Sequence, residues 1–232
     1  MTHTIAMPAK APVKKSLWLP LVIGLEITLV TLYAITVLIN AGEPSSLLDV
    51  NGFRTLPSWL QTTQLFLLGA LPLWLAITYR QPKVPPSRNL LVVVGLFFLF
   101  ASLDELFKLN ILFDQHQLWK SIYLSLAVII PVLFHRDLLR LSRLQPKTMR
   151  LIGIGIFIFL AGGFGLELFR RHIQEPYWYQ LFGRWKFHQV DAIRTAFEEF
   201  GEMLGETLIL KGMITLAHWR RAQAEDVEPH SL

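Results

Sequence analysis

Four carboxylates fall within nine residues of one largely apolar stretch: Glu198, Glu199, Glu202 and Glu206. Glu198, Glu202 and Glu206 repeat at i, i+4 and i+8, so they stack along one face of a helix, with Glu199 beside them. Further acids interrupt other apolar runs: Glu26, the adjacent pair Asp104 and Glu105, and Glu167. Carboxyls gathered away from water repel one another, and only three remedies exist: bound protons, protein cations or a bound metal ion. Lys108 follows Asp104 by four residues and Glu105 by three, while Arg194 precedes Glu198 by four. Two cations do not balance the six acids Asp104, Glu105, Glu167, Glu198, Glu199 and Glu202, so the excess favours protons or a divalent cation held by carboxylate oxygens. His116, His172 and His188 are the imidazoles on the same side. A metal set of Asp104, Glu105, Glu198, Glu202 and His188 resembles the di-metal sites that helical bundles build from facing glutamates. The same acids also admit a bland reading as solvated or packing residues near helix ends.

These residues need elements to position them, and the composition says which. Of 232 residues, 53% are hydrophobic and 17% charged, against roughly 45–50% and about 25% for an ordinary soluble domain. The apolar excess is bunched into runs of about 20 residues, the length that crosses a bilayer core. Backbone polar groups in lipid must be satisfied within the segment, so the runs are helices. The reading is an all-α bundle of six transmembrane helices forming one domain over 1–232, with spans near 16–40, 58–79, 89–109, 118–139, 148–169 and 190–219. Glu43-Pro44-Ser45-Ser46, Gln81 to Pro86 and Gln145-Pro146-Lys147 break the chain between spans. The first run is too long for a cleaved signal and reads as a signal anchor after Lys10, Lys14 and Lys15.

Lys and Arg number 13 in the segments on the N-terminal side of the membrane and 7 on the other. That bias places both termini in the cytoplasm. It also explains the net charge of +5 without nucleic acid. The absence of cysteine excludes disulfides, thiolate metal sites and cysteine nucleophiles. Between spans five and six, Tyr177, Trp178, Tyr179, Phe182, Trp185 and Phe187 stand among cations, which predicts a short interfacial helix or loop. Gly201 and Gly205 form a G-x-x-x-G strip in span six, and the glycines of span five make it the natural partner.

Counting a 1.5 Å rise from the cytoplasmic ends puts Glu105 and Glu202 at about 24–25 Å, Glu167 at about 28 Å and Glu198 at about 31 Å. Three helices therefore present carboxylates in the outer half of the membrane, and Asp104, Glu105 and Glu202 are expected to meet. Glu26 lies deeper, about 15 Å from its end, with Lys211 at about 12 Å from its own. A buried Glu26–Lys211 ion pair is predicted. Gln61 and Gln64 in span two are modest hydrogen-bonding candidates, and His135 reads as interfacial.

Ser102-Leu103-Asp104-Glu105 with Lys108-Leu109-Asn110, and Glu198-Glu199-Phe200-Gly201-Glu202-Met203-Leu204-Gly205, resemble the S-x-D-E and E-E-x-x-E-M-x-G elements of small bacterial membrane proteins of unassigned function. The resemblance covers about 25 residues and implies no activity. Asn110 and Ile111 stand where His-Glu occurs in that pattern. A di-metal set would lack those two ligands, which leaves a reduced cation or proton site. Three functions stay open: cation or proton binding for transport or ion-coupled gating, a metal-dependent intramembrane enzyme acting on a lipid-like substrate, and an assembly or scaffold subunit of a membrane complex. The expected surroundings are membrane lipids, a membrane-protein partner or a second copy, in a bacterial inner membrane or an equivalent energy-converting one.

Overall fold

The computed structural model describes residues 17–40, 43–50, 52, 54–79, 84–109, 116–169 and 179–225, with the side chains at 116–120, 167, 169, 179–188, 224 and 225 outside that description. Every regular element among the described residues is helical: α1 (Trp18–Ile39), α2 (Leu56–Thr78), α3 (Arg88–Phe107), α4 (His116–Leu133), α5 (His135–Leu144), α6 (Pro146–Leu160), a π-helical turn (Ala161–Gly165), α7 (Leu166–Phe169) and α8 (Tyr179–Glu225). Among the described residues, four helices are long and apolar enough to cross a membrane: α1, α2, α3 and the run Pro146–Gly165. The bent pair α4–α5 adds a fifth if counted as one span.

Local chemistry sets the boundaries. Thr55 caps α2 by accepting from the Ser58 amide at 3.4 Å, and Ser87 caps α3 through the Leu90 amide at 3.3 Å. Pro57 and Pro146 occupy first-turn positions, where a missing N–H costs nothing. Lys108 ends α3 in the left-handed region at φ 47°. Outward faces carry Leu21, Ile35, Phe66, Val132 and Phe157, all exposed, as an apolar surround demands.

Two glycine crossings hold the bundle. On α2 and α3, a Cβ added to Gly69 would lie 2.9 Å from the Gly95 carbonyl oxygen and 2.7 Å from the Leu99 amide. On α6 and α8, a Cβ added to Gly155 would lie 2.8 Å from the Gly205 carbonyl oxygen. Further along, Gly162 in the π turn faces Gly201. The expected pairing of the Gly201–Gly205 strip with span five is thus present. α1 joins α8 through a single buried stripe, Glu26, Leu29, Tyr33 and Val37, at three- and four-residue spacing.

Two expectations need correction. The fourth span does not run straight from 118 to 139: the chain breaks at Phe134, and α5 leaves α4 at 71°. Pro131 removes one ladder hydrogen bond just before the break. The segment that follows, His-Arg-Asp-Leu-Leu-Arg-Leu-Ser-Arg-Leu, has a charged face and an apolar face, which suits a helix lying along an interface. Secondly, the aromatic segment from Tyr179 is no separate helix. It forms the first turns of the 47-residue α8, continuous with the predicted sixth span. Tyr177 and Trp178 lie outside the described residues. The polar interruptions in α8 do not stop it, because Glu, Arg, Lys and Gln are all good helix formers.

Candidate functional site

The carboxyls form a chain that begins in ion pairs and ends in neutral partners. At the start of the described part of α8, Arg194 binds Asp191 at 3.0 Å, Glu198, and the Thr195 hydroxyl at 3.1 Å. On α3, the left-handed turn at Lys108 brings its ammonium to Glu105 at 2.6 Å. The Ser58 hydroxyl of α2 also hydrogen bonds Glu105. Asp104 turns the other way, as an adjacent residue on a helix must, and accepts from the Tyr123 hydroxyl of α4 at 2.8 Å.

Among the described residues, no cation pairs with the acids deeper in the bundle. Gln61 of α2 donates through Nε2 to Glu202 at 3.1 Å and, at the limit of 3.5 Å, to Glu206. One turn further, Gln64 Nε2 donates to Glu26 at 2.7 Å and to the Thr207 hydroxyl at 2.6 Å, and Thr207 donates to the same Glu26 oxygen at 2.5 Å. Glu26 and Glu206 are 0% exposed. Among the described residues, four buried oxygens have no hydrogen-bond partner: Glu26 Oε2, Gln64 Oε1, Glu206 Oε2 and the Thr62 hydroxyl. The charges of Glu202 and Glu105 both reach Glu199 and Glu206, and in each case Glu202 acts more strongly than Glu105.

The site is therefore assembled from α1, α2, α3 and α8, with α6 as its back wall. The π turn places Gly163 directly against the Glu202 carboxyl, at a position a Cβ would fill. A π turn inserts one extra residue into a helix and recurs at functional sites. Here it brings the backbone of a glycine run up to an acid.

Of the acids singled out from the sequence, Glu105, Glu199, Glu202 and Glu206 lie in one neighbourhood. Glu198 belongs to the Arg194 pair and Asp104 to Tyr123. The side chain of Glu167 lies outside the described residues, as do those of His116, His172 and His188. Of the proposed metal set, the described members have separate protein partners: Tyr123 for Asp104, Lys108 for Glu105, Arg194 for Glu198 and Gln61 for Glu202. Among the described residues no three acid or imidazole groups share a metal-sized point.

The Glu26–Lys211 pair does not form. Lys211 places its ammonium over the Trp18 ring, 5.6 Å from the centroid, and Trp18 is eight residues, or about 12 Å, along α1 from Glu26. The contact lies at the first turn of α1 and leaves Lys211 half-buried, whereas pairing with the fully buried Glu26 would take its charge into the core. Glu26 is held instead by Gln64 and Thr207. Sequence reasoning rated the two glutamines only modest and passed over Thr207, Ser58 and Tyr123. The available signal was the i, i+3 spacing of Gln61 and Gln64, which puts two amides on one face of an apolar helix.

These observations define a class: a bundle, all-helical among the described residues, of membrane-length apolar helices closed around a chain of buried and half-buried carboxyls. The chain belongs to the DUF8692 family, a domain of unknown function matched over residues 21–217, a range that includes every carboxyl of the site. No curated protein and no solved structure matches it.

Proposed function

We propose that this is a six-span integral membrane protein, with both termini in the cytoplasm of a bacterial cell, whose buried carboxyl chain takes up protons or a cation for transport or ion-coupled gating. The observation that carries the reading is a pair of fully buried carboxyls, each with one oxygen that no donor among the described residues reaches. These oxygens are Glu26 Oε2 and Glu206 Oε2, and Gln64 Oε1 is a third buried acceptor in the same condition. A buried polar group left unpaired costs about 1–3 kcal/mol. A proton on either carboxyl converts an acceptor into a donor and removes a charge at once. Acids on facing helices inside a membrane are the usual material of such pathways. The ordering supports it too: ion-paired acids at the Arg194 and Lys108 end lead to acids with neutral partners.

Infrared spectroscopy of the full chain in lipid tests the reading. At neutral pH the wild type should show a carboxylic-acid carbonyl band that weakens in Glu206→Gln, with the fold retained because the amide supplies the missing donor. Absence of that band, together with a melting temperature indifferent to added mono- and divalent cations, would refute it. Topology has its own test, since reporter fusions after Gly42 and after Leu144 should give opposite readouts. α8 carries too many charges to qualify as a span by composition, so it enters the membrane only as the packed partner of α1, α2 and α6. The same readout from both fusions would overturn the six-span arrangement.

A further inference from the structure

We propose that the groove between α4, α5 and the start of α6 is a binding site for an anionic phospholipid. The inference rests on the membrane reading but not on the carboxyl chain, which lies elsewhere in the bundle. The groove is open and shallow, with about 550 Å³ of space, and is lined by Pro131 of α4, His135, Leu138, Leu139 and Ser142 of α5, and Pro146, Met149 and Arg150 at the α6 start. The four α5 residues follow i, i+3, i+4 and i+7, so one complete stripe of that helix faces it.

Its chemistry is divided as a phospholipid is divided. Leu138, Leu139, Pro146 and Met149 supply an apolar floor, and the same helices carry the exposed apolar side chains Val128 and Val132 on α4 and Ile156 and Phe157 on α6. Acyl chains pack against such side chains. Arg150 supplies the charge at the mouth, flanked in sequence by Lys147 and by Arg143, next to Ser142. The Ser142 hydroxyl donates to the Leu139 carbonyl at 2.9 Å and His135 Nδ1 to the Val132 carbonyl at 2.9 Å, so headgroup recognition falls to the cations.

Charge complementarity fixes the occupant as anionic. Between residues 131 and 150 there are five cations, Arg136, Arg140, Arg143, Lys147 and Arg150, and one acid, Asp137. Asp137 faces inward and accepts from the Ser87 amide at 3.0 Å. None of the five cations has an acidic partner among the described residues. The 71° bend turns the amphipathic α5 away from the axis of α4, as a helix lying at headgroup level would be turned from a span.

The test uses the full chain reconstituted in phosphatidylcholine vesicles with trace spin-labelled phosphatidylglycerol or phosphatidylcholine. Paramagnetic resonance then reads the motionally restricted fraction of each label. Phosphatidylglycerol should be selected over phosphatidylcholine. Arg150→Gln should lower its association constant about five-fold, the equivalent of about 1 kcal/mol per basic residue near an anionic leaflet. Arg136→Gln, outside the groove, should lower it less. Equal restriction of the two labels by the wild type overturns the proposal, and that comparison needs no variant to fold. Equal losses in Arg150→Gln and Arg136→Gln also overturn it, because they would assign the selectivity to diffuse surface charge. Glu206→Gln should leave the selectivity unchanged, so failure here and failure of the carboxyl reading are separate results.

Discussion

Gly205→Leu should lower the melting temperature of the detergent-solubilised protein by about 6–12 °C, while Gly153→Ala, on the facing helix, leaves it unchanged or raises it. A Cβ on Gly205 would lie 2.7 Å from the Gly155 carbonyl oxygen and 2.7 Å from the Phe159 amide, both backbone atoms that cannot swing aside. Overpacking of a tight contact costs about 1–3 kcal/mol and occasionally more, and a leucine here displaces a whole helix. At roughly 2–4 °C per kcal/mol for a chain of this size, about 3 kcal/mol gives the stated shift. Gly153 has nothing within 4 Å of its Cβ position, so alanine there meets no clash and improves helix propensity. Leu208→Phe adds bulk at a half-buried position on the same helix and should cost less than Gly205→Leu. Indistinguishable melting temperatures for Gly205→Leu and Gly153→Ala would show that α6 and α8 do not touch at this strip.

The second large effect belongs to the Glu26, Gln64 and Thr207 triad. Gln64→Leu removes both Nε2 bonds and leaves the Glu26 carboxyl with Thr207 alone. Glu26→Leu leaves the Gln64 amide without its acid. Each should destabilise by about 1–3 kcal/mol, the cost of an unmatched buried polar group. The double variant should cost less than the sum by at least about 1 kcal/mol, because two apolar side chains replace a matched pair. Thr207 then turns its hydroxyl back to a carbonyl of its own helix. Lys211→Met removes only the contact with Trp18 and should change stability by less than about 1 kcal/mol. Denaturant titration in mixed micelles measures all four variants. Strict additivity of Glu26→Leu and Gln64→Leu, or a Lys211→Met effect as large as either, would restore the ion-pair account of Glu26.

Much of this arrangement was legible in the residues alone. Runs of about 20 apolar residues admit only helices where backbone groups lack water, so α1, α2, α3 and the Pro146–Gly165 run appear within a few residues of the expected spans. The Gly201–Gly205 spacing announced a close crossing because only glycine lets two backbones approach, and any i, i+4 pair shares a face. The acids at 198, 199, 202 and 206 were conspicuous for a similar reason: a charge facing hydrocarbon is so costly that its mere presence implies an interior.

The tertiary structure decided what periodicity does not encode: who meets whom, and where helices stop. A rise of 1.5 Å per residue gives depth along one helix but not rotation between two. It therefore matched Glu26 with Lys211, the nearest opposite charge, when the faces in contact bring Thr207 and Gln64 to the carboxyl. Asp104 and Glu105 sit side by side in sequence, yet about 100° per residue around α3 sends one to Tyr123 and the other to Lys108 and Ser58. The bend at Phe134 and the unbroken length of α8 were hidden by a shared cause. Hydropathy averages over a window, so it extends α4 through an amphipathic turn and cuts α8 wherever polar residues accumulate. Helix propensity and packing against α1, α2 and α6 ignore that average. In the full fold Glu202 and Glu206 meet Gln61 of α2, Asp191 and Glu198 pair with Arg194 of α8 itself, and burial against neighbouring helices keeps α8 in one piece.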